Sequence, residues 1–177
     1  MLISCRRGIK VIDFGGSLGF TYFQNKKFLD RLFNLSWNIV EQKEFVDVGK
    51  AKFSDERLKF YYDIKNCINE QKSDVLLISS ALQYIKKPYD LLNGLLTYNF
   101  EFISFGFGRT TFSINNKDTI KLQKLPPNIY KASYPCWFFS ENNFLSFFKN
   151  RYESIEQFDA LDGCTKDYSF WLYYVKN

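Results

Sequence analysis

The chain has 177 residues, carries a formal net charge of +5, and is 46% hydrophobic and 20% aromatic. This length and hydrophobic content exclude a disordered chain and predict a single domain, residues 1–177, with a sizeable core. Lysine and arginine are scattered along the chain, so no basic run of the kind that binds nucleic acid is present. We therefore expect no nucleic-acid partner.

The histidine and cysteine content limits the kinds of catalytic and metal-binding site that the chain can form. Histidine is absent, which excludes hydrolysis by a Ser-His-Asp or Cys-His arrangement in its usual form. The four cysteines form no C-x-x-C pair, so the sequence predicts no metal site, and reduced thiols favour a cytoplasmic location. No stretch approaches the ~20 apolar residues of a membrane span, and residues 1–7 lack the apolar segment of a signal peptide.

Apolar runs alternate with amphipathic stretches in the first part of the chain, as strands alternate with helices. The predicted strands are residues 9–12, 37–40, 58–62, 74–79 and 101–105. The predicted helices are residues 20–33, 43–52, 64–70 and 88–96. Residues 106–135 contain Gly, Asn and Pro-Pro without a clear period, so we predict a long loop there. Beyond the loop, Ser140 is a predicted N-cap before a helix over 144–149, and strands are predicted at 152–158 and 168–175.

Five strand–helix steps followed by two closing strands are typical of a doubly wound α/β fold. We predict a mostly parallel, seven-stranded sheet with a long loop after the fifth strand. Ligands of such sheets bind beyond the carboxyl ends of the strands. Candidate site residues stand at those ends: Asp13, Glu41, Asp63, Ser79 and the segment after Phe105.

A glycine-rich turn follows the first strand. Asp13 precedes Gly15, Gly16, Ser17 and Gly19, and an amphipathic stretch comes next. The dinucleotide fingerprint G-x-G-x-x-G does not match, whereas D-x-G-x-x-x-G does, with Ser17 in place of a middle glycine. That spacing is used to bind S-adenosylmethionine (SAM), whose amino group the acid can meet while the glycines admit the ligand against backbone. The alternative is a strand-to-helix turn in which the glycines only allow the backbone conformation and bind no ligand.

Two further acids follow the second and third strands. The carboxylate of Glu41 can accept hydrogen bonds from both hydroxyls of a ribose, and the alternative is a solvated Glu that opens the next helix. Asp63 could contact an adenine amino group, and the alternative is a helix N-cap before Ile64. Both roles of Asp63 can hold together.

Candidate acceptor residues follow the fourth and fifth strands. Ser79 and Ser80 are small enough to leave room for a sulfonium and an acceptor, and Gln83 and Tyr84 could orient an acceptor group. The alternative is a strand-end turn with a packed Tyr. Tyr84 is also a candidate general base for a hydroxyl acceptor, as is the acid after the third strand.

An arginine lies near aromatic residues in the predicted long loop. Arg109, with Tyr134 further along the loop, suits a phosphorylated or carboxylated sugar. The alternative is a surface arginine in a loop that aromatic residues pin to the core.

Four sequence blocks bring a family into view: Asp-Phe-Gly-Gly-Ser-Leu-Gly at 13–19, Ser-Ser-Ala-Leu-Gln-Tyr-Ile at 79–85, Arg-Thr-Thr-Phe at 109–112 and Tyr-Pro at 134–135. In this order they resemble a bacterial family of SAM-dependent methyltransferases associated with surface-polysaccharide biosynthesis, such as O-antigen or capsule. The resemblance covers residues 11–158. It implies the class I methyltransferase (Rossmann-like) fold, SAM as the cofactor, and a small-molecule or sugar-linked acceptor.

Two positions depart from that family. Its chains carry a longer leader, whereas twelve residues precede Asp13 here, so we expect a leader that is short or missing and an activity that depends on it. Gly108 stands where the family has an acid. We expect a SAM-dependent methyltransferase that acts on a sugar or polysaccharide precursor; the alternative is a non-catalytic or degenerate Rossmann-like nucleotide-binding module. Family kinship fixes the cofactor better than the acceptor.

Overall fold

The computed structural model describes the backbone of residues 8–125, 128, 131–159 and 168–176, and the side chains of these residues except 107–111 and those beyond 156. The strands are β1 (Ile9–Phe14), β2 (Leu35–Val40), β3 (Leu58–Tyr61), β4 (Val75–Ile78), β5 (Phe102–Ser113), β6 (Thr119–Lys124), β7 (Ser133–Phe138), β8 (Glu153–Asp159) and β9 (Tyr168–Lys176). The helices are α1 (Phe20–Leu29), α2 (Lys43–Lys52), α3 (Ile64–Glu70), α4 (Pro88–Leu96) and α5 (Glu141–Ser146).

The chain divides into two compact units. The first comprises the chain through Ser79 together with Phe100–Ser104, and the second comprises Ser80–Asn99 and the chain from Phe105 onward. The strand β5 begins in the first unit and continues in the second.

The first unit is built on parallel strands in the hydrogen-bonded order β3-β2-β1-β4-β5. The helices α1, α2 and α3 connect β1, β2, β3 and β4 in turn, as parallel strands require a crossover connection. The predicted α/β fold with a parallel central sheet is therefore confirmed. All nine strand and helix segments predicted up to residue 105 exist. Their ends differ from the prediction by up to four residues, except that the fifth strand runs eight residues further, to Ser113.

Apolar runs form the core of the first unit because parallel strands are covered on both faces. Neighbouring residues of β2, Ile39 and Val40, are both buried although their side chains point to opposite faces of the sheet. Leu58 and Phe60 of β3 are buried as well, and Val46 of α2 packs in the same apolar cluster as these two and Ile39.

The second unit has an aromatic core and antiparallel strands. Phe105, Phe112, Phe139, Phe144 and Phe148 are all buried, and the ring of Phe144 lies 4.9 Å from Phe105 and 5.3 Å from Phe112 and from Phe148. The strands β6 and β7 form a two-stranded antiparallel sheet, β8 pairs with β9, and the strand order runs from β5 to β9 and β8.

The predicted long loop over residues 106–135 is wrong. The strand β5 runs on to Ser113, and β6 and β7 occupy much of the remaining segment. The strand β6 alternates polar and apolar residues, with Ile120 and Leu122 on one face. Only six residues show this alternation, and the Pro-Pro and Gly of the same segment favoured a loop instead. The predicted cap at Ser140 is confirmed, because its hydroxyl accepts the N–H of Asn143 at the start of α5.

Among the described residues, no helix has both the length and the apolar character that crossing a bilayer requires.

Two helical glycines provide a matched test of this packing. A Cβ at Gly49 would lie within 2.6 Å of three ring carbons of Phe60, whereas a Cβ at Gly94 would have no neighbour within 4 Å. Gly49→Ala should lower the free energy of unfolding by about 1–3 kcal/mol because the core is overpacked. Gly94→Ala should leave it unchanged or raise it by up to about 1 kcal/mol, since Ala favours the helix. Urea unfolding followed by circular dichroism measures both, and equal effects would contradict the packing of α2 on β3.

Candidate functional site

Three strands of the first unit end level with one another. Phe14 pairs with Val40, and Val40 pairs with Tyr61. The N–H of Gly15 then donates to the carbonyl of Val40 at 2.9 Å, and the N–H of Glu41 donates to the carbonyl of Tyr61 at 3.1 Å. The glycine turn and Glu41 therefore lie side by side at the carboxyl edge of the sheet, where ligands of α/β folds bind.

The glycine turn bends sharply and leads into α1. Gly15, Ser17 and Gly19 all have positive φ, at 75°, 52° and 91°, and the N–H of Gly19 donates to the carbonyl of Gly16 at 3.0 Å. Ser17 thus holds the left-handed conformation that glycine adopts more readily, which explains how it replaces the motif's middle glycine.

The amino end of α1 faces this turn without a competing cap. Gly19 offers no side-chain hydrogen bond to the helix, and no acidic residue stands in the first turn. The first N–H groups of a helix have no partner within the helix and carry a partial positive charge. They are therefore suited to a carboxylate or another anionic group of a ligand.

Asp13 lies inside β1, between Ile39 on one neighbouring strand and Leu77 on the other, and its side chain is 0% exposed. Its Oδ2 accepts a hydrogen bond from the indole Nε1–H of Trp37 at 3.1 Å, and its Oδ1 has no partner among the described residues. A Cβ at Gly16 would lie between 2.5 and 2.8 Å from the carboxyl group. The carboxyl group therefore fills the space directly beneath the turn, and only glycine fits above it.

Electrostatics give this buried acid an unusual proton affinity. Burial raises the pKa of Asp13, the hydrogen bond from Trp37 lowers it, and the nearby charge of Glu41 raises it, for a result of about 7. An acid in so apolar a place holds its proton into the neutral range. The prediction had Asp13 reaching the amino group of a ligand; the structure instead places its carboxyl group under the turn, in contact with Trp37.

Glu41 is partly exposed beside the turn, and one of its carboxylate oxygens accepts the N–H of Gln42. Asp63 caps α3, since its carboxylate accepts the backbone N–H of Asn66 at 2.8 Å and the side-chain amide of the same residue. The N-cap interpretation of Asp63 is confirmed, and its contact with a ligand stays a prediction. Ser79 follows β4 at the same edge and is half-buried.

Candidate acceptor residues of the second unit form a small cluster. The rings of Tyr84 and Tyr134 meet edge to face with centroids 5.2 Å apart, and the hydroxyl of Tyr84 donates to Oε1 of Gln123 at 3.3 Å. Gln83 is buried at 2% exposure, and Ser80 has a φ of 54°. The structure therefore brings the two predicted tyrosines together.

Arg109 lies in β5 rather than in a loop, and its side chain is outside the described residues. Sequence reasoning missed Trp37 and Gln123. Aromatic residues are so abundant in this chain that no single one stood out, and Gln123 lay in the segment predicted as a loop. One signal in the sequence could have identified Trp37. Its indole N–H is a hydrogen-bond donor on the strand next to the one that carries Asp13.

A cavity of about 550 Å³ lies along β3. Tyr62, Asn66 and Asn69 are among its lining residues, together with Lys50, whose ammonium sits 4.4 Å from the ring centre of Tyr62. None of the predicted site residues lines this cavity.

Comparisons with known proteins identify the fold. No protein-family model and no curated protein matches this sequence. Among solved structures, the glycopeptide N-methyltransferase MtfA complexed with sinefungin is similar over 98% of this chain and 88% of its own, with 10% identity and a TM-score of 0.62. A SAM-dependent methyltransferase from Methanosarcina mazei is similar over 97% and 93%, with 9% identity and a TM-score of 0.63. The N-terminal domain of EvdMO1 with SAH bound is similar over 96% and 74%, with 11% identity and a TM-score of 0.61.

The chain has the class I methyltransferase fold. The fold that the sequence resemblance implied is therefore confirmed. These identities show the fold alone, and none of the comparisons supports the association with surface polysaccharide, which stays a prediction.

The proton on Asp13 should appear in the pH dependence of stability. In the unfolded chain this acid titrates near 3.8, so between about pH 4 and 7 the folded chain keeps a proton that the unfolded chain releases. Its stabilising contribution is complete below pH 4 and is lost as the pH rises to about 7, by on the order of 4 kcal/mol at ~1.4 kcal/mol per pH unit. Asp13→Asn cannot ionise, so its free energy of unfolding should vary less over this range.

Urea unfolding across the range measures the difference between the parent and Asp13→Asn. Asp90→Asn is the matched control, because that acid is exposed on α4. An Asp13→Asn profile as steep as that of the parent would show that Asp13 is ionised in the folded chain at neutral pH.

Proposed function

We propose that the chain is a SAM-dependent methyltransferase that binds SAM across the carboxyl ends of β1 and β2. The observation that carries the proposal is the register of these strands, which sets the glycine turn beside Glu41. The glycopeptide N-methyltransferase MtfA, of similar fold, has been crystallised with SAM and with SAH. We further propose one methyltransferase domain over residues 1–177, with the seven-stranded sheet of this class, acting in the cytoplasm.

The residues at this edge fit SAM. Residues 15–17 of the turn are two glycines and a serine, so their side chains leave room for a ligand. The uncapped start of α1 suits the carboxylate of an amino-acid tail. The carboxylate of Glu41 would accept hydrogen bonds from the ribose hydroxyls, each charge-assisted. We propose that Asp63 contacts the adenine of SAM. Ser79 and Ser80, which follow β4, are proposed to lie beside its sulfonium.

SAM supplies a methyl group that its sulfonium has already activated. The protein then has to bind, orient and exclude water, which explains how a chain without histidine can carry out the transfer. Asp13 would stay out of direct contact, holding the turn in shape through Trp37. We propose Tyr84 or Asp63 as the group that takes a proton from a hydroxyl acceptor.

The proposed acceptor is a sugar or a polysaccharide precursor. The four sequence blocks support it through their resemblance to a family of surface-polysaccharide methyltransferases. Tyr84 and Tyr134 meet edge to face beside each other, and we propose these two residues, with Gln83 and Arg109, for binding the sugar.

Calorimetry with SAM and with SAH tests the cofactor proposal. Both should bind the folded protein, and Glu41→Gln should weaken binding at least tenfold because the ribose loses charge-assisted hydrogen bonds worth about 1.5–3 kcal/mol each. Glu44→Gln, an exposed acid of α2, is the matched control and should bind like the parent. A folded sample that binds neither ligand, or that prefers NAD, would refute the proposal.

Transfer of a radiolabelled methyl group from SAM into a cell lysate separates an enzyme from a binding module. A methyltransferase should label an acceptor, and labelled polysaccharide precursor would support the proposed substrate class. Tight SAM binding without any transfer would favour the non-catalytic nucleotide-binding module.

A further inference from the structure

The two-stranded sheet of β6 and β7 carries a row of apolar side chains on one face, most of them exposed. Ile120 is opposite Trp137 in the register, and Leu122 is opposite Pro135. Directly opposed residues of an antiparallel pair share a face, as do alternate residues along each strand. These four side chains, called here the ribbon face, therefore lie together on one side of the sheet.

The ribbon face is exposed, although it is apolar. Ile120 is 54% exposed and Leu122 is 61% exposed, Pro135 is exposed, and Trp137 is half-buried against the ring of Phe139. A sheet with one face in water normally places polar residues there. An apolar face in that position indicates a surface that another phase or molecule covers.

The opposite face of the same sheet is already occupied. Tyr134 packs against Tyr84, and Cys136 is 4% exposed. The hydroxyl of Tyr84 also bonds to Gln123 on that side. The sheet is thus held to its unit by this face and by the stacking of Trp137 on Phe139, while Ile120 and Leu122 on the ribbon face are exposed.

Lysines lie beside the ribbon face. Residues 117–138 contain four lysines and a single acid, and all four lysines are exposed. Lys124 alternates with Ile120 and Leu122 and so lies on the ribbon face, while Lys117 precedes β6 and Lys131 precedes β7. Lys121 is opposite Cys136 and lies on the other face, with its ammonium 5.7 Å from the ring centre of Phe138. The acid, Asp118, accepts hydrogen bonds from the hydroxyl of Tyr89 at 2.7 Å and from the N–H of Ser140 at 2.6 Å, so its charge is directed to the body of the unit. The ribbon therefore presents an apolar centre with a positive rim.

We propose that the ribbon face docks on the surface of an anionic phospholipid bilayer. Ile120, Leu122 and Trp137 would enter the headgroup layer, while the lysines lie over the phosphates with their aliphatic stems along the apolar boundary. Four apolar side chains are far fewer than the ~20–30 residues per side of a stable protein interface, so they fit shallow insertion better than a protein partner. This inference goes beyond the proposed function and does not depend on it.

Co-sedimentation with phospholipid vesicles tests the docking. The full chain should bind vesicles that contain phosphatidylglycerol, bind pure phosphatidylcholine vesicles weakly, and lose affinity as the salt concentration rises. Folded protein that stays in the supernatant with both kinds of vesicle would overturn the proposal.

Paired substitutions locate the contact. Ile120→Ser with Leu122→Ser should lower the partition coefficient at least about tenfold, because two inserted side chains are lost. Phe28→Ser with Phe33→Ser is the matched control, since these residues are 65% and 81% exposed at and beyond the end of α1. Equal losses in both double variants would overturn the proposal, as would no loss in the ribbon variant.

Charge and depth give two further readouts. Lys124→Gln should weaken binding about fivefold, whereas Lys72→Gln, an exposed lysine outside the ribbon, should not. Brominated lipids should quench a share of the tryptophan fluorescence that disappears in Trp137→Phe. Self-association in the absence of lipid that the Ile120→Ser, Leu122→Ser variant abolishes would instead assign the ribbon face to a second copy of this chain.

Discussion

The carboxyl group of Asp13 beneath the glycine turn is the constraint on which the candidate site depends. It takes up the space where a side chain at position 16 would stand, so Gly16 has to be glycine. Its bond to the indole of Trp37 joins the end of β1 to β2, and thereby fixes the turn relative to the strand that carries Glu41. A buried acid of this kind costs stability as an ion, and here it stands in a position that shapes the carboxyl edge of the sheet.

The same carboxyl edge concentrates features that attract a ligand with both charge signs. Glu41 provides a carboxylate at the start of one loop, and the uncapped amino end of α1 provides unpaired N–H groups. A zwitterionic amino-acid tail and a ribose would satisfy both without any histidine or metal ligand set. Binding and orientation would be sufficient for the proposed methyl transfer, because the methyl group of SAM arrives already activated.

The segment after β5 builds both the core and the two-stranded sheet of the second unit. Its core is a group of phenylalanine rings around Phe144, and this core fixes a two-stranded sheet whose inner face meets Tyr84. On the outer face, Ile120 and Leu122 are 54% and 61% exposed among the described residues, and lysines that are scattered in the sequence lie nearby. The positive rim exists only because the strand pairing collects charges that lie several residues apart.

Local sequence determined much of the first unit. Apolar runs, the glycine turn and the N-cap at Asp63 depend on neighbours within a few residues, so strands, helices and the edge holding Glu41 could be predicted. Tertiary structure alone decided that Asp13 lies inside β1 and is buried, and that residues 106–135 pair as strands. Pairing between Gln123 and Tyr134 joins residues that are distant along the chain, and no local period encodes such a register.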